Sequence, residues 1–290
     1  MRNIDLESLH IFKAVVECGG ISRAAAQLHR VQSNVTTRIR NLEERLGVQL
    51  FLRQGGKLVL SAEGRLLLGY AERLLNLSSE AESALRSGTP GGVLRIGTME
   101  STAAARLPPL LARYHADYPQ VRIELVTGTS GALVGKVQRF EIEAAFVARP
   151  FNEAGLDTQL AFVEELVLIA PRDWKGGPDE AGLRGRTLIA FSTGCSYRRI
   201  LEDWLGESAI VPERVLELGS YHAIVACVAA GTGIAIVPRA VLATLREQPA
   251  IAVHPLPPKV ARAETHLVWR AGHASVALGA LRGQLASVSM

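Results

Sequence analysis

Residues 62–87 run for about seven helical turns without a proline, then meet Ser87-Gly88-Thr89-Pro90-Gly91-Gly92. That combination predicts one long helix, capped by Ser61 and closed by a turn-rich domain boundary. It divides the 290 residues into a short N-terminal piece and a much longer C-terminal one, and each must bury its own core. Within the helix Leu67, Leu74 and Ala81 recur every seven residues, as do Tyr70, Leu77 and Ala84, flanked by Glu72, Arg73, Glu80 and Glu82. A heptad of this kind reads either as a dimerisation stalk or as an amphipathic helix packed on its own domain. At 1.5 Å per residue it spans about 40 Å.

Charge is distributed unevenly across the division. Residues 1–60 hold nine Lys/Arg against five Asp/Glu, residues 61–88 three against four, and the remainder twenty against nineteen. The net +4 of the chain therefore sits in its first sixty residues, the footprint of a small module that binds a polyanion. Leu6, Leu9, Phe12 and Val16 place a first helix over residues 5–18, ended by Gly19-Gly20. Ser22 reads as the N-cap of a short Ala-rich helix, and a turn near Arg30-Val31 leads into a third. There Val35, Ile39, Leu42 and Leu46 form a narrow buried stripe, with Ser33, Thr37, Arg40, Asn41 and Glu44 opposite, Asn34 and Thr36 on the flanks, and Gly47 as the stop. Leu50–Arg53 and Leu58–Leu60 around Gln54-Gly55-Gly56-Lys57 read as a hairpin with Arg53 near its tip. Two helices joined by a short turn, the second offering amides, hydroxyls and arginines, suit the DNA major groove, and the hairpin suits its backbone. The alternative is a three-helix packing domain with a solvated face.

The run from Ile21-Ser22-Arg23-Ala24-Ala25-Ala26-Gln27-Leu28-His29 through Arg38-Ile39-Arg40-Asn41-Leu42-Glu43-Glu44-Arg45-Leu46-Gly47 strongly resembles the winged helix-turn-helix of LysR-type transcriptional regulators. The resemblance implies that Ser22, Arg23, Gln32, Ser33, Asn34, Thr36, Thr37, Arg38, Arg40 and Arg53 meet double-stranded DNA. It also favours the stalk, and hence a homodimer or dimer of dimers. Where the family usually carries Ser-Gln-Pro, this chain has Val31-Gln32-Ser33, so the common Ser cap and Pro are absent.

Beyond the boundary, strand-like runs (93–97, 122–127, 144–147, 165–170, 188–191, 215–218, 234–237, 264–269) alternate with helical ones (106–118, 131–139, 197–205, 221–230, 276–285). This predicts α/β architecture with largely parallel sheets, in which ligands lie beyond the carboxyl ends of strands. Polar residues cluster there: Thr98, Glu100, Ser101 and Thr102; Thr127, Gly128, Thr129 and Ser130; Arg149; Ser192, Thr193, Cys195, Ser196 and Tyr197; Ser220 and Tyr221. Singly each reads as a helix cap, but their recurrence reads as a cleft. The region resembles the LysR-type effector-binding domain, similar to periplasmic binding proteins with two lobes. That resemblance implies an N-terminal module over 1–60, a linker helix over 61–88, and an effector domain over 89–290. Its lobes would cover about 93–163 plus 264–290, and about 164–263, with 165–170 and 264–269 crossing between them. Met99-Glu100-Ser101-Thr102-Ala103-Ala104, Cys195-Ser196-Tyr197-Arg198-Arg199 and Ser220-Tyr221-His222 are most similar to a subgroup tied to putrescine utilisation. The effector is expected to be an amine, which would want Glu100, or a small carboxylate, which would want Arg149 and helix N-termini.

Other chemistry fits poorly. Gly131–Val137 lacks P-loop spacing, Gly128–Ala132 fails G-x-S-x-G, and the seven His show no metal-ligand spacing. No cofactor is expected. Three dispersed cysteines form neither a disulfide framework nor a CxxC motif, and the longest uncharged apolar run, Ile224 to Pro238, is shorter than a membrane helix. A soluble protein of a reducing, cytoplasmic compartment is expected, with no membrane partner. Two alternatives remain open. Cys195 stands about where peroxide-sensing members of the family carry a reactive thiol, with Arg198 and Arg199 one turn on. A two-lobed α/β fold could also serve a metabolite-handling enzyme, which would need a placed acid/base pair.

Overall fold

The computed structural model describes residues 4–55, 57–85, 90–177, 180–207, 209–245 and 250–288, and the chain divides into two units, Met1–Gly88 and Thr89–Met290. Ser87 to Thr89 of the turn-rich boundary, and Gly56 of the hairpin tip, lie outside the described residues.

In the first unit α1 (Leu6–Glu17) starts at Asp5, whose carboxylate accepts the Ser8 N–H at 2.7 Å. Next come α2 (Ile21–Gln27) and α3 (Gln32–Leu46), the latter ended by Gly47 in the left-handed region at φ 73°. The antiparallel hairpin β1 (Phe51–Gln54) and β2 (Lys57–Leu60) leads into α4 (Ala62–Leu85). Leu9, Phe12 and Val15 of α1 pack with Ala24 and Ala25 of α2, with Val35, Ile39 and Leu42 of α3, and with Leu50, Leu67 and Ala71. The alanines bring α2 close to its neighbours, and α4 meets the hairpin almost backbone to backbone. A Cβ on Gly64 would lie 2.3 Å from the Leu50 carbonyl oxygen.

Two expectations need correction here. Ser22 lies inside α2, whose N-cap is Gly20, so it caps nothing; its hydroxyl instead donates to the Gln32 side-chain oxygen at 3.1 Å. Leu67 faces inward, because the first turns of α4 lie against the unit's own core. The outward apolar stripe runs through Leu66, Tyr70, Leu74, Leu77 and Ala81, while the Ala84 side chain lies outside what is described.

The second unit begins with β3 (Gly92–Thr98), α5 (Glu100–Ala105), α6 (Leu107–Asp117), β4 (Val121–Thr127), α7 (Ser130–Gln138) and β5 (Ala144–Ala148). The long strand β6 (Leu156–Pro171) follows, then α8 (Glu180–Leu183), β7 (Thr187–Ala190), α9 (Ser196–Glu207), β8 (Arg214–Glu217), α10 (Tyr221–Ala229) and β9 (Ala235–Pro238). The chain continues through α11 (Arg239–Leu242), β10 (Ile251–Pro255), α12 (Pro258–Ala261), β11 (Arg262–Arg270) and α13 (Val276–Val288). A first lobe is built on the strand order β4-β3-β5-β11-β6, with β3 parallel to β4 and β5. β11 lies antiparallel between β5 and the Leu156–Glu165 half of β6. The other half of β6, from Leu166, pairs antiparallel with β9 and β10 in a second lobe, where β7 and β8 are parallel.

The sheets are therefore mixed rather than largely parallel, because β6 and β11 run back against their neighbours. Residues 165–170 do belong to the strand shared by both lobes. Residues 264–269 do not cross; they lie wholly in the first lobe, and the return passes through α12. Leu94, Ile96, Leu110, Tyr114, Phe146, Trp269 and Leu281 form one core, in which the Tyr114 hydroxyl donates to the Ala277 carbonyl at 2.8 Å. A second core runs without a break from Leu133 and Val147 through Leu166–Ala170 to Val228 and Val237, so it belongs to both lobes.

Candidate functional site

Two surfaces carry the polar chemistry, one in each unit. On α3 the side chains of Ser33, Asn34, Thr37, Arg38 and Asn41 line a shallow groove with Val31. The groove is polar because Val35, Ile39 and Leu42 take the opposite side of the helix into the core. Val31 stands at the N-cap without a side-chain cap, the counterpart in structure of the missing Ser. Of the other residues expected to face DNA, Gln32 is engaged by Ser22, the Thr36 hydroxyl donates to the Gln32 carbonyl, and exposed Arg40 pairs with Glu44 at 2.8 Å. Arg38 is steadied by Glu7 at 3.0 Å, and Arg23 donates to the Gly19 carbonyl. Arg53 is exposed on β1. Asn41 completes the groove, and its place opposite the buried stripe is the sequence signal for it.

The second surface is a cleft of about 270 Å³ between the two lobes of the C-terminal unit. It is lined where β3, β4, β7 and β8 end and α5, α7, α9 and α10 begin: Met99, Glu100 and Ser101; Thr127 to Ser130; Phe191, Ser192, Cys195 and Tyr197; Gly219 and Tyr221. Both pairs of parallel strands thus aim their carboxyl ends at one space. Its size falls just below the range of about 300–1,000 Å³ for drug-sized ligands, which suits a small metabolite.

The floor is tied together by serines. Ser130 Oγ accepts the Ala148 N–H at 3.2 Å, and Ser196 Oγ donates to the Ala148 carbonyl at 2.6 Å. The Gly131 N–H reaches the Gly194 carbonyl from lobe to lobe at 3.2 Å. Glu100 also bridges the lobes: its Oε1 accepts the Tyr221 N–H at 3.4 Å, at the first residue of α10. Burial raises the Glu100 carboxyl above its ordinary value against the pull of that N–H and of His222. Behind the cleft Arg106 makes a two-pronged pair with buried Glu164 of β6, both bonds 2.8 Å.

Several expected residues lie elsewhere. Thr98 is buried with its hydroxyl on the Met99 carbonyl, Thr102 is buried on the inner face of α5, and Ser196 is spent on the floor. Ser220 sits at the start of α10 without lining the cleft. Arg149 pairs with Glu153 at 2.9 Å and does not line the cleft. Phe191, Met99 and Gly219 do line it, and a search for polar residues at strand ends passes over them.

Reading DNA with one unit and holding a small molecule in the other is the division of labour of a ligand-responsive transcriptional regulator. Residues 6–65 match the family model for the bacterial regulatory helix-turn-helix protein, lysR family, and residues 87–289 match that for the LysR substrate binding domain. The chain is 40% identical over 263 residues to the HTH-type transcriptional regulator YusT of Bacillus subtilis (strain 168), covering 90% of this chain and 88% of that protein. It is 35% identical over 269 residues to the HTH-type transcriptional regulator SoxR of Arthrobacter sp. (strain TE1826), covering 92% and 91%. Its fold is that of full-length CbnR, solved in complex with its target DNA, at a TM-score of 0.72 and 24% identity over 98% of this chain and 99% of that one. The chain belongs to the LysR family: it is a DNA-binding transcriptional regulator with an effector-binding substrate domain. Among the described residues no helix is long and apolar enough to cross a membrane, and no group of three His, Cys, Asp or Glu could hold a metal ion.

Proposed function

We propose that α3 reads a promoter through Ser33, Asn34, Thr37, Arg38 and Asn41, with Arg40 and Arg53 on phosphates, and that the cleft between the lobes holds the effector that tunes this binding. Residues 1–60 serve as the DNA module, 61–88 as the stalk and 89–290 as the effector domain. The observation that carries this reading is the open polar groove of α3, lined by Ser33, Asn34, Thr37, Arg38 and Asn41 and filled by no other described segment of its unit. The outward stripe of α4 supports pairing of two copies, which would present two α3 helices to successive turns of a duplex. Effector binding that prefers one arrangement of the dimer shifts the population toward it. The regulator works in the cytoplasm and catalyses no reaction; that its relatives are transcriptional regulators supports this. Burial raises the Cys195 thiol, and Arg198 is committed to Glu202 and Glu217, both of which favour a polar cleft residue over a peroxide-reactive thiolate.

The test is a gel shift on the intergenic DNA upstream of the protein's own gene, at low and moderate salt. Thr37→Ala and Arg40→Ala are each expected to weaken binding by about tenfold with dimerisation intact, and Arg40→Ala also to flatten the salt dependence. Binding unchanged in both variants would remove α3 from the interface.

A further inference from the structure

The cleft offers unequal welcome to the two signs of charge. The donors that would attract an anion are largely engaged by the chain itself. At the start of α7, Thr129 Oγ1 accepts the Ala132 N–H and the Gly194 carbonyl accepts that of Gly131. At the start of α9, the N–H groups of Tyr197 and Arg198 face the Cys195 sulfur. At the start of α10, the Tyr221 N–H faces Glu100. No Lys, Arg or His lies among the described lining residues.

The carboxylate, by contrast, keeps an acceptor to spare. Glu100 Oε2 accepts no hydrogen bond among the described residues, while the almost wholly buried Ser101 hydroxyl stands beside those of Tyr197 and Tyr221. A buried carboxylate oxygen in this condition calls for a donor. Phe191, Tyr197 and Tyr221 add three aromatic rings to the walls, with the centroids of Phe191 and Tyr221 4.7 Å apart. One carboxylate, acceptor hydroxyls and aromatic rings together suit an ammonium group that carries N–H donors.

Resting on the reading of this cleft as the effector site, we infer that the effector is a small organic cation with a single ammonium group, its N–H donors on Glu100 and Ser101 and its neutral end among Thr127, Thr129 and Ser192. A second cationic end would find no second carboxylate among the described lining residues, and a carboxylate end would meet Glu100.

The experiment is calorimetric titration of the full-length protein with 4-amino-1-butanol, n-butylamine, 1,4-diaminobutane, butyrate and succinate, in parallel with Glu100→Gln and with Ser192→Trp, which fills the cleft. The two monoamines are expected to bind, 4-amino-1-butanol the tighter. Glu100→Gln should weaken them by about tenfold to a hundredfold, the loss of one charge-assisted hydrogen bond. Ser192→Trp should abolish their binding, and both variants should keep the wild-type melting temperature. Anions binding in place of amines, with the binding blocked by Ser192→Trp, would overturn the cation and leave the cleft as the effector site. Amine binding that persists in Ser192→Trp would overturn the cleft itself. Tighter binding of the diamine than of either monoamine, or no binding by any monoamine, would overturn the single-ammonium assignment.

Discussion

The carboxylate of Asp5 accepts the Ser8 N–H at 2.7 Å and the Arg45 guanidinium at 3.0 Å, so one side chain caps α1 and fastens α3 to it. The backbone hydrogen bond from Ser8, then the Ser8 hydroxyl and Arg45, hold its carboxyl down at about 2. Because the folded value lies below the ordinary 3.8, Asp5 stabilises the fold fully above the ordinary value, and the contribution drains away as pH falls toward about 2. Asp5→Ala is expected to cost about 1 kcal/mol near neutrality through the lost cap. Urea unfolding across the acid range should find the gap between variant and wild type closing as the wild-type carboxyl protonates. A gap that stays constant would mean that the charge contributes nothing. Arg106 and Glu164 teach a related lesson, since a carboxylate buried in the strand common to both lobes is tolerated only with both oxygens engaged.

Among the elements, those with strong periodicity were readable from the sequence. The stripe Val35, Ile39 and Leu42 is buried as its spacing implies, and the long proline-free run is a helix. What the spacing could not decide was which heptad residues face home. Leu67 turns inward because Gly64 lets α4 settle against the hairpin, a contact between segments that no periodicity encodes. β10 escapes notice because Ile251–Pro255 is short and ends in proline, and α5 because six residues scarcely show a period. Strand direction was illegible for the same reason, since the partners of β11 lie about a hundred residues earlier in the chain. The cleft followed more readily, because residues after parallel strands converge whatever the pairing beyond them; the exceptions are Arg149, which pairs with Glu153, and Thr98, Thr102, Ser196 and Ser220, which do not line it. The outward stripe of α4 carries its own prediction. Leu74→Glu with Leu77→Glu should weaken self-association by about a hundredfold or more in sedimentation equilibrium, each residue contributing about 1.5–3 kcal/mol of apolar burial, while helix content stays unchanged. An unaltered dimer would place the interface elsewhere.

Over the whole molecule the two lobes of the C-terminal unit are not independent. They share β6 along its length and a continuous core from Val147 to Val237. Scanning calorimetry of the full chain should therefore resolve no more than two transitions, one for each unit. A third, from lobes melting separately, would contradict the shared core. The position of β11 matters before the protein is ever finished. It sits in the middle of the first lobe's sheet, between β5 and β6, yet it is translated after every other strand. A nascent chain emerging from the ribosome can close the second lobe while the first still has an open slot, with the inner edges of two strands bare. Synthesis, not stability, is where this architecture is exposed: a ribosome that stalls before Arg262 leaves a sheet with its central plank missing, and a chaperone or a protease would meet that gap first.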